Sequence, residues 1–265
     1  MAAVRITVPA SSANLGPGFD AVGMALGLHL VVSTGEGPSA PERHPAVQAF
    51  RHLGGRGPLD VVTSVPPARG LGFSGAARVG GLLAAACQQG LDVDVLGEAT
   101  ALEGHADNAA ASLLGGVVVV ADGRAARLPV PVQGRIVLWI PPTETHTSRS
   151  RAVLDDPVRR EDAVFNVGRT ALLVAAITTG SVELLRTATQ DRLHQDVRLR
   201  TATDSRAAID AALDAGAWAA WLSGSGPSVA AWCAAGEAAT VAANLPPAGR
   251  HRVVDIDTQG AHVEA

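Results

Sequence analysis

The chain of 265 residues contains no lysine, so its 21 Lys/Arg cations are all arginine. That absence excludes Schiff-base catalysis and the lysine-dependent Walker phosphate loop. An anionic ligand must be held by guanidinium forks or by backbone N–H groups instead. Cysteine is scarce. Cys87 and Cys233 stand far apart in apolar surroundings, which points to buried structural thiols rather than a disulfide or a metal site. No apolar run is long enough to span a bilayer; the longest lie near residues 80–87 and 115–121. Residues 1–10 carry one arginine and lead straight into a Ser/Asn/Gly loop, unlike a signal peptide. The net charge of −4 gives no electrostatic reason to expect nucleic acid. A cytoplasmic enzyme without a membrane or nucleic-acid partner is the expectation.

What is present is an apolar chain, 47% hydrophobic, long enough for one large domain or two small ones. Alternation predicts a strand over residues 4–8, a polar loop over 9–20, and extended chain over 21–32. Residues 46–53 read as a short helix and 59–65 as a strand. Helices are predicted over 76–89, 94–103 and 109–114. A hairpin around Asp122-Gly123 and a strand over 135–140 follow. Further on, helices are expected over 162–178, 181–187, 205–215 and 237–245, and strands over 217–222, 228–233 and 252–256. Strands and helices alternate irregularly, without a repeat, so the class is α+β. The boundary between two domains, 1–134 and 135–265, is placed near Gly134.

Four segments carry polar groups in patterns that suit chemistry. The loop Gly70-Leu71-Gly72-Phe73-Ser74-Gly75 opens a helix, and glycines there permit close backbone approach. With the unpaired N–H groups and positive dipole end of the helix, this makes an anion seat or, more simply, a tight strand-to-helix turn. Ser11, Ser12, Asn14 and Asp20 crowd one loop, and can equally be a turn that satisfies its own backbone. His105, Asp107 and Asn108 precede an apolar helix, where Asp107 or Asn108 suits an N-cap. A second glycine loop, SGSGPS at 223–228, lies between two predicted strands.

Taken in order, these segments resemble the homoserine kinase branch of the GHMP small-molecule kinases. PASSANLGPGFDAVGMAL (9–26), VPPARGLGFSGAA (65–77), EGHADNAAASLLGG (103–116) and LSGSGPSVAA (222–231) resemble its motifs. TSRSRAVL (147–154), FNVGR (165–169) and DRLHQDVR (191–198) match as well. The resemblance implies the GHMP kinase fold, with an N-terminal domain like domain 2 of ribosomal protein S5 and a ferredoxin-like C-terminal domain. It implies transfer of the ATP γ-phosphoryl to the hydroxyl of L-homoserine or a similar hydroxy-amino acid, with Mg²⁺, in threonine biosynthesis. A homodimer is implied by family analogy alone.

Carried over by position, Asn14, Asp20, Thr147 and Arg198 bind the amino acid, and His105, Asn108 and Arg151 stand at the reacting groups. Gly70, Gly72, Ser74 and Gly75 seat the nucleotide, and Ser74 with Glu98 holds the metal. The residue types suit these roles. Asp20 can partner the substrate ammonium, while Arg151 and Arg198 can grip its carboxylate in bidentate fashion. Asn108 stands where many relatives have an aspartate and cannot take a proton, so catalysis rests on positioning and charge stabilisation.

Three positions depart from the family pattern. Phe73 replaces the first serine of GLGSS. Gly97 stands where the metal-binding glutamate is usual, leaving Glu98 one residue and roughly 100° of helix away. The nucleoside-seating asparagine segment is replaced by residues 44–47. All three lie on the nucleotide side. Two other readings therefore stay open: an ATP-independent elimination, cyclisation or isomerisation, and an inactive amino-acid-binding homologue.

Overall fold

The computed structural model describes residues 3–35, 37–145, 147–154 and 157–264, and the side chains of all of these but 147–149. Two long strands, β1 (Arg5–Asn14) and β2 (Gly18–Thr34), form an antiparallel hairpin at the centre of the first sheet. The polar segment expected as a loop is mostly strand, and only residues 15–17 turn. Its serines read as loop because they are polar, but each hydroxyl is satisfied across the packing interface. Ser11 donates to Asn108 Oδ1 at 3.0 Å, and Ser12 accepts from Trp221 Nε1 at 2.9 Å.

The chain continues through α1 (Pro45–His52), β3 (Leu59–Thr63), α2 (Phe73–Gln89), α3 (Val95–Glu103) and α4 (Ala106–Leu114). The predicted hairpin follows as β4 (Val117–Ala121) and β5 (Arg124–Leu128). Then come β6 (Arg135–Ile140), α5 (Thr147–Ala152), α6 (Arg160–Thr179), α7 (Leu185–Ala188), α8 (Gln195–Leu199) and α9 (Thr203–Asp214). The last elements are β7 (Ala219–Leu222), β8 (Val229–Cys233), α10 (Ala238–Asn244), β9 (Arg250–Val254) and β10 (His262–Val263). The short elements α5, α8 and β10 left no periodic signal in the sequence.

One antiparallel sheet has the order β10-β1-β2-β4-β5, with β3 also paired to β2; the other has the order β7-β8-β6-β9. The chain end thus returns to the first sheet through β10. One continuous core, including Val8, Leu30 and Leu82 from the first half and Leu138, Trp221 and Trp232 from the second, joins the two. Cys233 is buried as expected, but Cys87 is exposed near the end of α2. Among the described residues no helix is long and apolar enough to cross a membrane.

The small residues of α2 have a geometric cause. A Cβ on Gly81 would lie 2.1 Å from the Ala46 carbonyl oxygen of α1. Alanine normally gains up to about 1 kcal/mol over glycine inside a helix. Here the clash is with backbone that cannot swing aside, and overpacking of this kind costs about 1–3 kcal/mol. Gly81→Ala should therefore destabilise the chain, lowering the urea midpoint without changing the slope of the transition.

Candidate active site

Three loops meet at the junction of the two sheets. The turn between β1 and β2 is held by Asn14, whose Nδ2 donates to the Gly224 carbonyl at 3.0 Å and whose Oδ1 accepts the Asp20 N–H at 3.1 Å. Gly224 returns a bond from its own N–H to the Ala13 carbonyl at 3.1 Å. Ser223 donates to the Gly70 carbonyl at 2.7 Å, so the second glycine loop is seated on the first. Gly72 adopts a φ of +66° before α2, and a Cβ there would lie 1.9 Å from Ser11 Oγ. The glycines are thus required for close approach, and they leave the N-terminus of α2 open to the cavity.

That cavity, about 200 Å³, is lined by Asn14, Asp20, Gly70, Gly72, Ser74, His105, Asn108, Arg151 and Arg198 together. Gly75 is outside it, packed against Asn108, where a Cβ would lie 3.2 Å from the asparagine Cβ. Thr147 opens α5, and its side chain falls outside the described residues. Phe73 lines the cavity and sets its ring edge-on to His44 at 5.5 Å. His44 caps α1 by accepting the Ala46 N–H.

The charged groups form a linked set. Arg151 Nη2 donates to both Asp20 carboxylate oxygens, at 2.5 and 2.7 Å. Its Nε is buried and has no hydrogen-bond partner among the described residues. Arg198 is buried, donating to the Gly224 carbonyl at 3.2 Å and to His194 Nδ1 at 3.0 Å. Because His194 Nε2 meets the Gly16 carbonyl at 2.8 Å, that nitrogen carries the proton and Nδ1 accepts. Burial, first of all, holds His194 below the usual histidine range. Burial also pulls Arg198 down to about 10, with Arg151 adding repulsion. Both guanidiniums lie over the Phe19 ring, at 5.3 and 5.5 Å.

The motifs around 165 and 191 support this set from behind. Asp191 accepts the backbone N–H groups of His194 and Gln195, and takes Asn166 Nδ2 at 2.6 Å. Asn166 in turn reaches the Pro17 carbonyl at 3.3 Å. These residues fix the turn that carries Asp20.

Sequence reasoning read Asp107 as a cap and did not place it in the site. It lines the cavity beside Asn108, is 2% exposed, and its Oδ1 accepts the Asn108 N–H at 2.8 Å. Burial pushes its carboxyl up to about 6, and Asp20 pushes the same way against Arg151 and the Asn108 N–H. Burial lowers His105, with Arg151 and Arg198 adding to it and Asp20 opposing, so its imidazole is neutral at pH 7. His105 precedes α4 without a side-chain cap bond, which leaves its ring to the cavity.

The metal set expected from the resemblance does not fit. Glu98 is not brought to the cavity: it faces outward and bonds His52 Nε2 at 2.8 Å. The rotation along α3 that separates it from Gly97 is the reason. Ser74 donates to Glu103 Oε2 at 2.7 Å and accepts from Arg78, which also pairs directly with Glu103. Among the described residues no cluster of three or more His, Cys, Asp or Glu side chains could hold a metal ion. Glu103 and Arg78 were both missed in the sequence. The spacing of Ser74 and Arg78, i and i+4 on one helix face, was the available signal.

Comparison with known proteins agrees with this architecture. The family model for the N-terminal domain of GHMP kinases matches residues 43–116, and that for the GHMP kinase C-terminus matches 173–250. The fold is that of a GHMP small-molecule kinase, and mevalonate kinase shares it at a TM-score of 0.73 with 11% identity. A homoserine kinase of Moorella thermoacetica is 40% identical, covering 86% of each chain; one of Thermus thermophilus is 39% identical, covering 95% of this chain and 96% of its own. A solved homoserine kinase from Cytophaga hutchinsonii superposes at a TM-score of 0.87 with 25% identity, covering 99% of this chain and 97% of the other. The chain belongs to the homoserine kinase family of GHMP kinases, which are small-molecule phosphotransferases. Nothing in these findings supports the elimination or binding-only readings.

Asp107 generates a test with a defined sign. Between pH about 4 and about 6 the folded chain keeps a proton that the unfolded chain has released, so stability falls as pH rises through that window. The ionised group then costs the fold about 3 kcal/mol at pH 7.5. Asp107→Asn keeps the acceptor and removes the charge. Its stability in urea should match wild type below pH 4 and exceed it by about that amount at pH 7.5, while kcat/KM falls and loses its acid limb near pH 6.

Proposed function

We propose that the chain is a cytoplasmic homoserine kinase that transfers the γ-phosphoryl of ATP to the side-chain hydroxyl of L-homoserine. The observation that carries this is one cavity lined both by Asp20, Arg151 and Arg198 and by the glycine loop at the start of α2. On this reading residues 1–134 supply the phosphate loop, and residues 135–265 supply Arg151 and Arg198. Arg151 Nε is a buried donor without an acceptor among the described residues, and a substrate carboxylate would provide one. Asp20 exchanges part of its bond to Arg151 for the substrate ammonium. The volume of about 200 Å³, below the ~300–1,000 Å³ of drug-sized sites, suits a small polar amino acid and the terminal phosphate.

In the transfer, the substrate hydroxyl oxygen bonds to the γ-phosphorus, the bond to the ADP oxygen breaks, and the hydroxyl proton passes to the Asp107 carboxylate and on to solvent. Asn108 is held by Ser11, and His105 is neutral; both orient polar groups and neither takes up the charge. Asp107, ionised above pH about 6, is the carboxylate placed to accept a hydrogen bond from the attacking hydroxyl. Backbone N–H groups of Phe73 and Ser74 face the transferred group, which suits a reaction accelerated by positioning and charge stabilisation.

The test is calorimetric titration of L-homoserine and of ATP separately, followed by an assay of ADP release. Homoserine-dependent ADP release is expected. Failure to bind ATP at millimolar concentration sinks the kinase reading. Asp20→Asn should raise the homoserine KM by about 10–100-fold, the worth of a hydrogen bond to a charged group, with a smaller change in kcat.

A further inference from the structure

The wall of the phosphate loop holds an arrangement that the transfer reaction does not use. Ser74 and Glu103 both line the cavity, and the Ser74 hydroxyl donates to the Glu103 carboxylate at 2.7 Å. A hydroxyl and a carboxylate side by side next to a phosphate seat are oxygen donors of the kind Mg²⁺ accepts. In this chain both are already engaged. Arg78, one helical turn along α2 from Ser74, donates to Ser74 Oγ and pairs with Glu103. The side chains of Arg78 and Glu103 are 19% and 18% exposed, so the pair is shielded and weakly screened.

The other expected donor is missing. Gly97 has no side chain, and Glu98 is bonded to His52 away from the cavity. A divalent ion would meet two oxygen donors, both held by a permanent cation. Mg²⁺ requires near-octahedral oxygen coordination and sheds its waters reluctantly. Burial holds the Arg78 guanidinium below the usual arginine range, yet an arginine starts so high that it stays charged near neutral pH.

We propose that Arg78 is the resident cation of the phosphate loop: it neutralises Glu103, holds the Ser74 hydroxyl, and closes this oxygen pair to divalent ions. Arg78 is a positioning residue, since it acts on the cavity through Ser74 and Glu103. The inference rests on the reading of residues 70–75 as a phosphate seat, but its test needs neither nucleotide nor homoserine, so the two can fail separately.

The test is Mn²⁺ titration of the full chain, followed by electron paramagnetic resonance in the absence of nucleotide. The wild-type chain should show no site tighter than about 1 mM, the weak end of protein–cation affinities. Arg78→Met should uncover a site at least about tenfold tighter. Adding Glu103→Gln to that variant should abolish it, which locates the site. Arg78→Gln, which keeps hydrogen bonding to both partners without the charge, serves if the methionine variant fails to fold. Two results overturn the proposal: a wild-type chain that binds Mn²⁺ as tightly as the Arg78 variants, or a folded Arg78 variant, judged by circular dichroism, that gains no site.

Discussion

Both halves of the cavity depend on the backbone of one residue, Gly224. Its carbonyl accepts Asn14 Nδ2 from the β1–β2 turn and Nη1 of Arg198 from α8, and its N–H bonds the Ala13 carbonyl. A single short loop residue therefore fixes the turn that carries Asp20, the arginine that faces it, and the approach of the two sheets. All of these partners are buried, where an unmade bond costs about 1–3 kcal/mol. Losing one contact would leave the others unsatisfied too, so the set forms or fails as a unit.

The charge arrangement follows from that frame. Two guanidiniums and two carboxylates approach one another near Phe19, but they are not equivalent. Asp191 spends its oxygens on backbone N–H groups and Asn166, and so supports the fold. Among the described residues the Asp20 carboxylate meets only the Arg151 side chain, and Arg151 Nε has no partner. The Arg151–Asp20 pair is about a third exposed, and a pair so open to solvent adds little to stability. On the proposed reading it serves as preorganisation, since a zwitterion would find its counter-charges already aimed.

Much of the fold was legible because its helices are long and its turns carry glycine. The strand-to-helix glycine loop, the Asp122-Gly123 hairpin and helix α6 were all readable from local pattern. The Ser11–Asn14 segment was not, because local pattern treats buried serines as loop, and only the Trp221, Ser223 and Asn108 partners make strand affordable. Part of the cavity lining was legible as motif: Asn14, Asp20, His105, Asn108, Arg151 and Arg198 line one cavity. The metal side was misread, because adjacency in sequence was allowed to stand for adjacency in space. Glu98 neighbours Gly97 yet faces His52, whereas Glu103, five residues on, reaches Ser74. Asp107 was misread for a different reason. A carboxylate in the first turn of a helix ordinarily serves the helix, and local pattern does not disclose its burial or its place in the cavity lining.

The absence of lysine is consistent with how the two kinds of anion are met. For a substrate carboxylate, planar guanidiniums face the cavity and supply two-pronged geometry, which a lysine would not. For a phosphate, the proposed seat is the glycine loop at the start of α2, and Arg78 stands behind it on the second turn of that helix. A guanidinium aimed directly at the phosphate would compete with the helix terminus for the same oxygens and hold the product after transfer. Set back against Glu103, it adds less net charge and rigidifies Ser74 instead. On the proposed reading the phosphate seat is shaped by loop geometry more than by a directly aimed cation.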